Sequence, residues 1–451
     1  VIATLRVSSG ARQILGKRSG VALIACVLLA VPAIAAASWS SPVLVSTKGQ
    51  YQSFSSTVGL GDDGVLRAAW AQGYPQQVWY APVTTAGSLA TPTKLGTVPP
   101  ALDRSIADLA TEPLGDGRAL VVWQSGSTLR LDTLTATGRL LSSHRFAGQL
   151  GALRNPGATA PSVTRFGGDG ALLCWTHQSG ETLIANVGVV SATGAMRVIK
   201  ASTPNPNPFE GGPGSCGVAA AAGKAAIVWQ GETIPQTTEE PPTQLLLQRL
   251  VPGGGLAPPV TVDTGGGIAS VSSVSMTATG SVAVSWVDSL VGDAQYNLPQ
   301  MVWVSADGTV GPVITLLRHA VGYRSVALEA IGPDRVVAVI GAANWLAAEE
   351  VDLAGQITAP SKVSGGGATT FRIASNGSTV LVAWQGVAPL LTPYTTEWSD
   401  GRLQTPAPVE ACNNCAQLIG VSINDRGATS ALVSEPNMTR LGADVAATFG
   451  P

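Results

Sequence analysis

Short apolar runs alternate with polar, glycine-marked breaks along the chain, and one run recurs with the same ending. "DDGVLRAAW" ends at Trp70, "GDGRALVVW" at Trp123, "GDGALLCW" at Trp175, "GKAAIVW" at Trp229, "TGSVAVSW" at Trp286 and "SNGSTVLVAW" at Trp384. Two copies lack the tryptophan, "GPDRVVAVI" at Ile340 and "DRGATSALV" at Val433. The period of roughly 50 residues lies in the range of propeller units. A second signal keeps step with the first, a turn marked by Gly87, Gly138, Gly194, Gly255, Gly308, Gly355 and Gly401. Glycine there supplies the positive φ of tight hairpins.

Each unit thus predicts four short strands. The first is rich in small residues, as in "IASVSSVSM" from Ile268 to Met276, which suits the crowded axis of a radial array. The second carries the tryptophan, whose ring fills the wedge between units. The fourth carries proline, as in "LATPTKL" and "ITAPSKV". Proline cannot donate a ladder bond and belongs at a sheet edge. Small inside and proline outside is the order of a propeller blade. Eight anchors predict an all-β, eight-bladed propeller of four-stranded antiparallel blades, with seven blades as the alternative count. The last unit ends at Gly450–Pro451 before its fourth strand, and "SWSSPVLVS" (Ser38–Ser46) reads as that strand. The N-terminal segment is therefore expected to close the ring as the outer strand of the last blade.

Composition agrees with this reading. Charged residues are 12% of the chain, against 53 glycines and 30 prolines, a profile of many tight turns around apolar strands. A net charge of -2 gives no basic excess for a nucleic-acid or anionic-membrane partner. Residues 1–37 read as a signal peptide: Arg6, Arg12, Lys17 and Arg18, then the apolar run Val21–Ala37 ending in small residues. A retained anchor is the alternative. Cleavage after Ala37 predicts a soluble, secreted, monomeric propeller over 38–451, without a membrane partner. It also leaves four cysteines, an even number for an oxidising compartment. Cys412 and Cys415 ("CNNC") predict a local loop-closing disulfide. Cys174 and Cys216 sit in adjacent units and are candidates for a bridge between them.

The repeat pattern over nearly all of residues 38–451 resembles the secreted bacterial β-propellers loosely grouped with sialidase-like and BNR-type repeats. Asp–Gly pairs such as Asp63–Gly64 and Asp116–Gly117 lie in the first turn, further from the tryptophan than in that family's Asp-box. The resemblance implies an arginine set for a carboxylate, as sialidases use, and "FRI" at Phe371 is similar to the family's motif.

Two sets of candidate site residues follow. Arg104, Arg324 and Arg372 fall in or before first strands, with Gln52 and Gln417 in comparable places. Convergent arginines suit a carboxylate or phosphate. The second set is acidic: Glu232, Glu239, Glu240, Asp288 and Asp293 on two long second-to-third-strand connections. Their oxygens would suit Ca²⁺, the one metal the sequence brings to mind, and no other cofactor is expected. No Ser-His-Asp order, zinc motif, P-loop or dinucleotide fingerprint is present. The expected function is a non-catalytic propeller binding an extracellular glycan or protein. The alternative is a sialidase-like glycan hydrolase or lyase with its site at the channel mouth.

Overall fold

A computed structural model describes residues 39–46, 52–73, 75–98, 109–125, 128–146, 162–167, 170–179, 182–201, 216–232, 243–263, 268–289, 298–317, 323–342, 345–364, 371–386, 392–409, 417–436 and 443–450. They fall in one compact unit, Ala37–Pro451. Eight antiparallel sheets, each of four strands with a short fifth added in one, stand in a ring as an eight-bladed β-propeller. The weak repeats are blades in their own right, since Arg335–Ala342 and Thr429–Pro436 are second strands, and seven blades are excluded.

Each anchor packs against the preceding blade. Trp123 joins the blade 1 residues Ala69, Val78 and Tyr80, and Trp286 joins Val228, Leu245 and Leu247 of blade 4. Ile340 fills the same place beside Met301 and Trp303. Eight apolar clusters of this kind occupy the eight seams, so the core lies between blades rather than within any one sheet.

The ring closes through its N-terminal strand. Val43–Leu44 pairs with the last strand, Val43 opposite Ala447 and Leu44 opposite Ala446. Ser40 extends the junction, its N–H donating to the Phe449 carbonyl at 2.7 Å and its hydroxyl accepting the Phe449 N–H at 3.0 Å. Trp39 and Val45 are buried and enter two different seams, Trp39 between blades 7 and 8 and Val45 between blades 8 and 1. A disulfide joins Cys174 of blade 3 to Cys216 of blade 4, with a Cα–Cα separation of 6.2 Å. Cys412 and Cys415 lie outside the described residues.

The end of the ring that carries the first-to-second and third-to-fourth turns is stitched at every seam. Starting at blade 8, the Asn424 amide donates to the Gly61 carbonyl (3.2 Å), Arg67 to Gly117 (2.7 Å), Arg118 to Ala192 and Arg197 to Gly253 (3.2 Å). The circuit continues with Lys224 to Thr279 (2.6 Å), the Thr279 hydroxyl to Pro333 (2.8 Å), the Gly332 N–H to Gly377 (2.7 Å) and the Asn376 amide to Asn424 (3.3 Å). Each carbonyl keeps a lone pair directed out of its turn, and the next blade supplies a donor to it; Gly61 and Asn424 accept in addition from Gly64 and Gly427 of their own hairpins. The second-to-third and fourth-to-first connections leave at the opposite end, here called the loop face.

Candidate functional site

The first strands line the central channel and each is an edge of its sheet. An edge strand presents unpaired N–H and C=O groups. Here the neighbouring blade satisfies part of them: the Ser422 hydroxyl accepts the Leu60 N–H (2.9 Å), Ser273 accepts Leu328 (3.0 Å) and Ser275 accepts Ala330 (2.8 Å). Close approach of these strands explains their small residues. A Cβ on Gly59 would stand 2.5 Å from Pro113 Cδ, and one on Gly217 would stand 2.7 Å from Val274 Cγ2.

Register places equivalent residues of the eight first strands in layers. Just inside the anchor stand Thr57, Ala110, Ser162, Gly217, Ser273, Ala327 and Gly420, all small, and in blade 7 the exposed Arg372. Two residues nearer the turns the layer reads Gly59, Glu112, Thr164, Ala219, Ser275, Glu329, Ala374 and Ser422. Its two carboxylates belong to blades 2 and 6, on opposite sides of the ring.

Burial pushes the Glu112 carboxyl up to about 8, although the Arg165 charge and the Arg165 backbone N–H, hydrogen-bonded to it, pull the other way. Burial alone pushes Glu329 up to about 7. Arg165, on the first strand of blade 3, reaches past blade 2 to the Asp62 carboxylate in the first turn of blade 1, at 2.6 Å. That hydrogen bond raises the Arg165 pKa, and the Asp62, Asp425 and Glu112 charges add to the effect. The channel therefore carries an acid–base cluster toward its turn end, and the ion pair spans the blade that holds Glu112.

The residues singled out from sequence occupy different depths. Gln52 pairs with Gln72, Arg324 lies at the irregularity between Tyr323 and Ser325, and Gln417 pairs with Ser434, all on the loop side of the anchors. Arg372 pairs with Ala383, on the turn side. Two to three residues of strand separate it from Arg324, roughly 7–10 Å. Arg104 lies outside the described residues. So do Glu239, Glu240 and Asp293, while Glu232 and Asp288 are placed by backbone alone at the ends of second strands.

Glu112, Glu329, Arg165 and Asp62 escaped the sequence reading, yet a signal existed for the two glutamates. Both stand eleven residues before their anchors, Trp123 and Ile340, where other units carry Gly59, Thr164, Ser275 and Ser422. Aligning the units on the anchor exposes them.

No protein-family model matches the chain, and no curated protein sequence matches it. Solved structures of similar fold include the Dos1 propeller, 8% identical, covering 90% of this chain and 94% of that one with a TM-score of 0.53. A polysaccharide lyase described as a PL25 ulvan lyase is 10% identical and covers 77% of this chain and 93% of its own, with a TM-score of 0.51. A Hadza microbial sialidase is 9% identical over 73% of this chain and 74% of its own, with a TM-score of 0.42. The likeness to the Dos1 propeller agrees with the propeller fold. Among the described residues no helix is long and apolar enough to cross a membrane.

Proposed function

We propose that the protein is an exported, non-catalytic propeller that binds an extracellular glycan or protein partner at its loop face. One observation carries this reading, the stitching of the turn face at all eight seams. It makes the ring a rigid mount and leaves the longer connections at the other end, and recognition tends to sit on loops so mounted. Arg372, exposed among small neighbours, supplies a cation for a carboxylate-bearing ligand entering the channel. The leader over 1–37, cleaved after Ala37, and the Cys174–Cys216 disulfide support export to an oxidising compartment. The acidic connections of blades 4 and 5, with Glu232, Glu239, Glu240, Asp288 and Asp293, would bind Ca²⁺ there. Calorimetry with and without calcium tests that part, and an unchanged melting temperature removes it.

A second reading rests on Glu112. A carboxyl held protonated near neutral pH beside a cation is the kind of group that serves as a general acid. A glycoside hydrolase also needs a second carboxyl at roughly 5–9.5 Å. Glu329 is four blades away. Even at the within-sheet strand spacing of about 4.8 Å, eight strands in a ring put opposite members about 12–13 Å apart. The Glu112 carboxylate is also engaged by the Arg165 N–H of the neighbouring blade. The geometry thus favours binding. The test is a glycan array with residues 38–451, followed by incubation of each hit and analysis for cleavage. Binding without cleavage is expected, and a cleaved hit overturns the non-catalytic reading.

A further inference from the structure

The outer rim offers eight edge strands, and most are blunted. Proline stands in or beside the outer strands of blades 1, 4, 5, 6, 7 and 8, at Pro92, Pro259, Pro312, Pro360, Pro408 and Pro42. Three of those strands are also short, two residues each in Ile314–Thr315, Arg402–Leu403 and Val43–Leu44. Short strands and proline are the usual means of keeping an edge from pairing with another chain. Blades 2 and 3 have no proline in their outer strands, and the blade 2 strand is the longest of the described outer strands. Leu140–Phe146 runs for seven residues without proline, and Met196–Lys200 for five.

Among the described residues no strand pairs with the outer side of the blade 2 edge, and the edge is basic. Leu141, Ser143 and Arg145 alternate on its exposed side, with Leu141 45% accessible. Arg139 is exposed just before the strand, and Lys200 is exposed on the next rim strand. The one carboxylate in the two outer strands of these two blades, Asp132, is fully buried and accepts the Trp123 indole N–H at 2.7 Å. Among the described residues Arg139, Arg145 and Lys200 have no ion-pair partner.

We infer that Leu140–Phe146 is a docking edge for an extended acidic segment of a partner protein, which adds to blade 2 as a fifth strand. Main-chain bonds supply affinity in this mode and alternate side chains supply specificity. Seven residues offer a pairing length of about 23 Å. Leu141 takes an apolar side chain of the partner, and Arg145 and Arg139 take its carboxylates. A second copy of this chain fits less well, because edge-to-edge pairing would set basic strand against basic strand, and like charges across strands repel. This rim site lies apart from the channel and stands independently of the reading of the loop face.

The test uses residues 38–451 and fluorescein-labelled heptapeptides in an anisotropy titration. One peptide alternates glutamate with valine, one alternates lysine with valine, and the third is the glutamate peptide with every backbone amide methylated. The glutamate peptide is expected to bind at least tenfold more tightly than the other two. The exposed double substitution Arg139→Glu/Arg145→Glu, which leaves the fold's interior untouched, is expected to transfer the preference to the lysine peptide. Equal binding of the methylated peptide, a preference unmoved by charge reversal, or no binding at all overturns the proposal. So does a concentration-dependent dimer that competes with the peptide, which would assign the edge to a second copy.

Discussion

At its turn end the ring is bound from blade to blade by a hydrogen bond at each of eight seams, while at its loop end the same blades are joined by connections of widely different length. The local chemistry matches the difference. Every first turn carries a glycine at positive φ, from Gly64 in blade 1 to Gly427 in blade 8, so the hairpins are tight and their carbonyls come within reach of the next blade. The donors are mixed: arginine, lysine, threonine, asparagine and a bare backbone amide. What is kept around the ring is therefore the bond and not the residue. Among the described residues a complete circuit of such bonds is seen at the turn end.

If that division holds, the largest loss should come from the one place where the ring is closed by a segment far away in sequence. Removing Ser38–Ser46 deletes the fourth strand of blade 8 together with Trp39 and Val45, buried in two separate seams. Losing a buried tryptophan alone costs about 3–5 kcal/mol. The thermal transition should fall by many degrees or lose cooperativity, and a truncated protein that melts like the parent refutes ring closure by this strand.

A smaller but still large effect is expected from a single turn-face latch. Arg67 is 1% accessible, bonds the Asp63 carboxylate at 2.7 Å and donates twice to Gly117 of the next blade. Arg67→Met keeps its stem and removes all of these bonds. Asp63 is exposed and keeps its solvation, so the loss is that of charged hydrogen bonds, about 1.5–3 kcal/mol. Urea denaturation reads the loss, and a change under about 0.5 kcal/mol, the range of ordinary surface substitutions, would mean the stitching is incidental.

The repeat made the fold legible because its causes are local. A glycine that sets a hairpin, an apolar run that fills a seam and a proline that ends a sheet each act within a few residues. Even the closing strand was readable, since the last unit stops at Phe449 short of its fourth strand. The channel cluster was not, because its contacts cross blades. Arg165 meets Asp62 over 103 residues and a whole intervening blade. Of the five polar residues grouped as one anion site, the four described ones share a strand type but not a depth. Depth is set by register and by bulges such as the one between Tyr323 and Ser325, which no local pattern announces. The bare rim of blades 2 and 3 was present as missing prolines, a signal that shows only when the outer strands are set beside one another.

The two half-buried channel carboxylates, together with the buried Glu349, raised to about 7, give the comparison a pH axis. Glu112 is raised from 4.5 to about 8 and Glu329 from 4.5 to about 7 in the folded ring, both chiefly by burial. Between the unfolded and folded values the native state holds protons that the unfolded chain has lost, so stability falls as pH rises. The fall should begin near pH 4.5, end near 8 and then level. Thermal melts across that window should show it, and Glu112→Gln/Glu329→Gln should flatten the slope and raise the melting temperature at pH 8. A slope unchanged by the double substitution would show that the ring opens enough to solvate both groups.

The smallest change in stability is expected where the loop-face reading places the most function. Arg372 sits on a first strand in a layer that the other seven blades fill with small residues; its side chain is exposed to the channel, although the surrounding protein lowers its pKa by desolvation and it donates to the Phe371 carbonyl at 2.9 Å. An exposed substitution away from caps, cavities and buried pairs moves stability within about 0.5 kcal/mol. Arg372→Ala should therefore melt as the parent does, in contrast to Arg67→Met. If a carboxylate ligand enters the channel, the same substitution should weaken its binding by tenfold or more, since a charged hydrogen bond contributes about 1.5–3 kcal/mol. Paired melts and titrations of the two arginine variants against an acidic glycan drawn from the array decide the matter. The division between the two faces fails if Arg372→Ala destabilises the ring as much as Arg67→Met, or if it leaves the binding of that glycan unchanged.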